Sequence, residues 1–107
     1  MACADSYESL VRAQTGSWLR TTTGDVHGHP FCARGLFEWR SVALALARCP
    51  EGSTIVEVGS NVGTETVCLA DIVGPTGRVH AFEALPGNCA KLRTGLSLNP
   101  NRNVVLH

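Results

Sequence analysis

An α/β fold with a parallel, doubly wound sheet is what this sequence predicts, on three observations. From residue 53 onward, short β-branched runs alternate with helix-forming runs, and glycine or proline punctuates each change of element. The first strand-to-helix turn, "EVGSNVG" at 57–63, is rich in residues that free the backbone.

Taken in order, "DSYESLVRAQTG" (5–16) carries Tyr7, Leu10, Val11 and Gln14 at helical spacing. Asp5 stands three residues before Glu8 as a capping pair and Gly16 as a stop, so a short amphipathic helix is expected. Residues 17–30 show no period and read as a loop. "ARGLFEWRSVALALARC" (33–49) sets Leu36, Trp39, Ala43, Leu46 and Ala47 on one face, which predicts a helix that covers a sheet and ends before Pro50 and Gly52.

There follow strand "STIVEV" (53–58), helix "TETVCLADIV" (64–73), turn "GPTG", strand "RVHAFE" (78–83), helix "PGNCAKLRTGLSL" (86–98), turn "NPNRN" and strand "VVL" (104–106). Val67, Ala70 and Val73 recur every third residue of the first of these helices. In the second, Pro86 suits the opening turn, and Cys89, Leu92 and Leu96 form the buried stripe. Three strands joined by two helices make a βαβαβ unit with right-handed crossovers.

The chain has 107 residues, 44% of them hydrophobic and 17% charged, which suits one small folded domain. Nine basic residues balance nine acidic ones, so no global field draws the chain to nucleic acid, an anionic membrane or an acidic partner. The expected partner is a small molecule bound locally. No run approaches the roughly 18 apolar residues of a membrane span, and "MACADSYESL" lacks the regions of a signal peptide, so a cytoplasmic protein is expected. The five cysteines (Cys3, Cys32, Cys49, Cys68, Cys89) form no C-x-x-C pair and read as reduced thiols. His27-x-His29-x-x-Cys32 groups three metal-ligand types, but no fourth stands at zinc spacing and no metal is expected.

The stretch at 57–63 falls at the carboxyl ends of the strands, where doubly wound sheets bind ligands. Gly59 lets the chain leave its strand sharply, and Gly63 removes a β-carbon so that a ligand can approach backbone N–H groups. Glu57, near the end of a central strand, needs a partner, either the loop's N–H groups or a ligand's ammonium. Glu83 ends the next strand, where dinucleotide-type folds place an acid on the adenosine ribose; the alternative is a helix N-terminal acid ahead of Pro86. A dinucleotide site asks for G-x-G-x-x-G, whereas Asn61 stands in the middle position here, so NAD is disfavoured.

These residues resemble those of Rossmann-like S-adenosyl-L-methionine-dependent methyltransferases, whose first motif is acid-x-Gly-x-x-x-Gly and whose second is an acid closing strand two. The likeness narrows to the FkbM-type family: "VEVGSNVGTET" resembles its D-V-G-A-N-x-G segment, "GPTGRVHAFEALPGN" its G-x-V-x-x-F-E-P-x-P stretch, and "LSLNPNRNVVL" its L-x-x-N-x-x-x-N-V region. Glu57 in place of aspartate and Ala84 in place of proline depart from the pattern.

The resemblance implies part of a Rossmann-like three-layer sandwich, strand order 3-2-1, with N-terminal helices. Residues 1–34 would form an N-terminal helix and loop, and 35–107 the cofactor-binding half. It implies methyl transfer from S-adenosyl-L-methionine to a hydroxyl of a sugar or natural product, with orientation supplying much of the rate. Gly59, Asn61 and Gly63 would line the methionine end, Ser60 and Thr64 would also contact the cofactor, and Glu57 would hold the loop or reach the amino group. Glu83 would bind the ribose, and Ala84 and Leu85 would flank the adenine. No catalytic residue is assigned, since the family's acceptor contacts lie on strands beyond His107. His80, mid-strand in "RVHAF", sits away from the carboxyl end and is disfavoured as a base. Without those strands the edge of strand one would be apolar and unpaired, so the chain is expected to be marginally stable, a homodimer through that edge, or part of a longer enzyme. A non-catalytic adenosine-ligand or interaction module is the other functional class.

Overall fold

From residue 54 onward β-branched runs and periodic helices form the expected unit, in a computed structural model that describes residues 7–100 and 103–107. Cys3 and Asp5, and Asn101 and Arg102 of the expected turn, lie outside the described residues. The elements are β1 (Glu8–Arg12), β2 (Trp18–Thr22), α1 (Gly28–Arg34), α2 (Trp39–Arg48), β3 (Thr54–Val58), α3 (Thr66–Val73), β4 (Arg78–Phe82), α4 (Pro86–Ser97) and β5 (Val104–Leu106).

Strands β3, β4 and β5 pair in parallel in that spatial order, the 3-2-1 order expected, with Ile55 opposite Val79 and Val79 opposite Val104. The central strand buries Val79 and Ala81 completely, and α3 is buried on nearly every side through Val67, Cys68, Leu69, Ala70 and Val73. Asn103, just before β5, donates from Nδ2 to the carbonyls of Ala70 (2.9 Å) and Gly74 (2.8 Å), closing the end of α3. One core joins α2, α3 and β4; a second joins Leu19, Phe31, Val42, Val67 and Cys68.

The helix expected over residues 5–16 is not formed. Residues 8–12 and 18–22 make an antiparallel hairpin, with Arg12 opposite Trp18 and Glu8 opposite Thr22. Two positions of the helical stripe, Tyr7 and Leu10, are 65% and 55% exposed. What the core takes instead is the period-2 set Leu19 and Thr21, with Val11 half-buried. Distant polar groups hold the hairpin in place. Asp71 of α3 accepts from Thr15 Oγ1 (2.7 Å), the Ser17 N–H (2.9 Å) and Ser17 Oγ (2.5 Å). Asn99 accepts from the Trp18 N–H at 2.6 Å and donates to its carbonyl at 2.8 Å. The loop expected over 17–30 therefore contains β2 and the start of α1, and the helix expected over 33–49 is split where Gly35 (φ 64°) ends α1.

Asp71→Ala leaves three donors without their acceptor, so it destabilises the chain by about 2–3 kcal/mol, and Asp71→Asn by less. Urea denaturation followed by circular dichroism measures this; an unchanged midpoint would mean that the hairpin is held by its apolar face alone.

Candidate functional site

The turn after β3 is stitched to the end of β4: the Gly59 and Ser60 N–H groups both donate to the Phe82 carbonyl, at 2.8 and 3.0 Å. Gly59 (φ 87°), Asn61 (φ 51°) and Gly63 (φ 99°) occupy the left-handed region, so the turn reverses within five residues before α3 begins. Nothing lies within 4 Å of where a side chain on Gly59 would start, so the face above it is open.

Glu83 bridges the two turns. Its Oε2 accepts from the Asn61 N–H at 2.7 Å and its Oε1 from the Leu85 N–H at 2.8 Å. The Leu85 hydrogen bond above all, helped by that of Asn61, holds the carboxyl below the usual carboxylate range against a smaller opposing effect of burial. It does not cap α4, whose capping position is Leu85.

Glu57 is half-buried and accepts from Thr66 Oγ1 at 2.6 Å. The partner that a strand-end carboxylate requires is thus a hydroxyl at the start of α3. Burial pushes the Glu57 carboxyl up; the Thr66 and Ser60 hydroxyls oppose this, and the charge of Glu65 adds to it. A raised folded value means that the folded chain holds its proton more tightly than the unfolded one. Stability therefore falls as pH rises from the ordinary carboxylate value through the raised one. Glu57→Gln removes that cost while keeping an acceptor for Thr66, so it stabilises the chain at neutral pH. Thermal melting at pH values on either side of the carboxylate range measures this, and a lower melting temperature at neutral pH would overturn it.

Glu57, Gly59, Asn61 and Glu83 converge, Ser60 is buried beneath them with its hydroxyl on the Phe82 carbonyl, and Ala84 and Leu85 continue exposed from the same end of the sheet. Gly63 and Thr64 face inward instead. A β-carbon on Gly63 would collide with Leu92 of α4, so this glycine has a packing reason, and Thr64 is buried with its carbonyl toward Cys68 Sγ. His80 is engaged by His107, ring nitrogen to ring nitrogen at 2.9 Å. Burial pushes the Cys68 thiol up to about 11, which keeps it protonated.

Two members of the site had no readable signal. Thr66 meets Glu57 only once α3 has packed on β3. His27, grouped in the sequence with His29 and Cys32, places Nδ1 2.9 Å from Asn61 Nδ2.

No family model matches the chain. It is 30% identical, over a 95-residue alignment covering 72% of it, to the fibrillarin-like rRNA/tRNA 2'-O-methyltransferase of Staphylothermus marinus, of which it spans 41%. It is similar to a protein assigned as an rRNA methylase from Clostridium thermocellum, with TM-score 0.61 and 30% identity over 64% of this chain and 38% of that one. Aeropyrum pernix fibrillarin, solved with natively bound S-adenosyl-L-methionine, matches 97% of this chain and 56% of its own at TM-score 0.53 and 19% identity. The fold is that of S-adenosyl-L-methionine-dependent methyltransferases, and the chain spans about two fifths of the length of the first two proteins. These relatives also correct the expectation of a small-molecule acceptor and no nucleic acid, because two of them are named for acting on RNA. A net charge of zero excludes a long-range field and says nothing of contacts made at close range.

Proposed function

We propose that this chain is the cofactor-binding part of an S-adenosyl-L-methionine-dependent O-methyltransferase that acts on RNA. The observation that carries the reading is the meeting of Glu57, Gly59, Asn61 and Glu83 at the carboxyl ends of β3 and β4, beneath an open face. The three segments similar to the FkbM-type family support the cofactor class, and the names of the relatives support the acceptor, an RNA hydroxyl.

The residues suit such a cofactor. Each Glu83 oxygen accepts one backbone N–H and retains acceptor capacity for a ribose hydroxyl. The space over Gly59 admits a chain running along the turn, and the exposed Leu85 offers an apolar flank for a purine. Glu57 would hold the cofactor's amino group, since an ammonium would offset the cost of burying this carboxylate. When bound, the cofactor would supply a methyl group on a sulfonium; the residues of this chain would hold and orient it, and orientation supplies much of the rate of such a reaction.

Calorimetric titration with S-adenosyl-L-methionine and, in parallel, NAD tests the reading. Saturable heat with the first alone is expected. Heat with NAD alone, or with neither ligand in a chain that melts cooperatively, would overturn it.

A further inference from the structure

We infer that His27, which lies outside the βαβαβ unit, is a positioning residue of the cofactor turn, acting through the side chain of Asn61. The inference rests on the cofactor reading above and adds a part to the site drawn from the N-terminal segment.

The geometry runs as one chain of contacts. Asp25 Oδ1 accepts from the N–H groups of His27 (2.8 Å) and Gly28 (2.6 Å), which fixes the backbone at the start of α1. Phe37 meets the His27 ring edge-on, with centroids 4.7 Å apart and planes at 77°, which sets the orientation of the imidazole. Its Nδ1 then lies 2.9 Å from Asn61 Nδ2. An amide nitrogen only donates, so the ring nitrogen is the acceptor.

Asn61 is thereby held from both sides, its backbone N–H by Glu83 and its side chain by His27. It is also one of two described non-glycine residues with positive φ, at 51°. That conformation is costly for most side chains, and asparagine tolerates it best when its polar group is bonded. Removing the His27 acceptor leaves the turn free to sample other shapes, and a ligand must then order it on binding. The cost appears as weaker cofactor affinity, with no group lost from the cofactor surface itself.

The prediction is that His27→Ala weakens S-adenosyl-L-methionine binding about fivefold to tenfold and speeds amide exchange at Asn61 and Gly63 in the unliganded chain. His27→Gln, whose side-chain oxygen can accept from the amide, recovers most of both. Asn61→Gly keeps the N–H that Glu83 holds and suits the positive φ, and in that background His27→Ala has no further effect. A His27 that served only to pack against Phe37 would give the same loss in both backgrounds, and that result would overturn the inference. So would unchanged exchange in a folded His27→Ala chain, whatever the ligand does. A wild-type chain that gives no heat with S-adenosyl-L-methionine would instead overturn the cofactor reading, while the exchange measurement still decides whether His27 holds the turn.

Discussion

Replacing Glu83 by alanine weakens S-adenosyl-L-methionine binding by about tenfold or more, the largest loss of affinity expected from one substitution in this site. Two effects add. The carboxylate contributes acceptors for the ribose, and it ties the Asn61 turn to the Leu85 turn before any ligand arrives. Glu83→Gln is a poor rescue, because one of its two terminal atoms is a donor and would face a donating backbone N–H. The same residue has a pH signature. A carboxyl held below its usual range in the folded chain stabilises above the ordinary carboxylate value, and this contribution is lost as pH falls through the depressed value. Acid melting should therefore be steeper in the wild type than in Glu83→Ala, opposite in sign to the contribution of Glu57. An affinity in Glu83→Ala equal to wild type would remove Glu83 from the cofactor site.

Gly63→Ala destabilises the chain by about 3 kcal/mol, enough to unfold a marginal domain. Part of the cost is the backbone, since φ is 99° and an alanine there is strained whatever the space. The rest is the new methyl group, which meets the end of the fully buried Leu92 side chain, with Leu19 just beyond. The double substitution Gly63→Ala with Leu92→Ala separates the two: it recovers the collision and keeps the backbone strain, so its cost is below the sum of the single substitutions. Denaturant midpoints measure all three variants, and strict additivity would show that the methyl group finds space elsewhere.

The βαβαβ unit was legible because its signals are local. Val67, Ala70 and Val73 mark α3, Pro86 opens α4, and β-branched runs mark β3 and β5. The hairpin was not legible, because what selects it over a helix is a pair of acceptors, Asp71 and Asn99, far along the chain. The site divides in the same way. Glu57, Gly59, Asn61 and Glu83 announced themselves by spacing, whereas Thr66 and His27 join it only through tertiary approach. Gly63 was recognisable as a necessary glycine, yet the atom that requires it is a leucine side chain of α4. The expectation of no nucleic acid rested on a whole-chain charge, which says nothing of a contact surface, and that of a sugar or natural-product acceptor on the FkbM-type resemblance.

The anchoring of the hairpin also sets an order of events during synthesis. Its turn depends on a residue 54 positions later, and Trp18 on one 81 positions later. On a ribosome the hairpin emerges well before these partners, so until Asn99 has been made its strands lack the groups that fix them. Loop closures of that span slow folding and leave β1 and β2 waiting as unpartnered β-forming segments. The hairpin is therefore made before the groups that secure it.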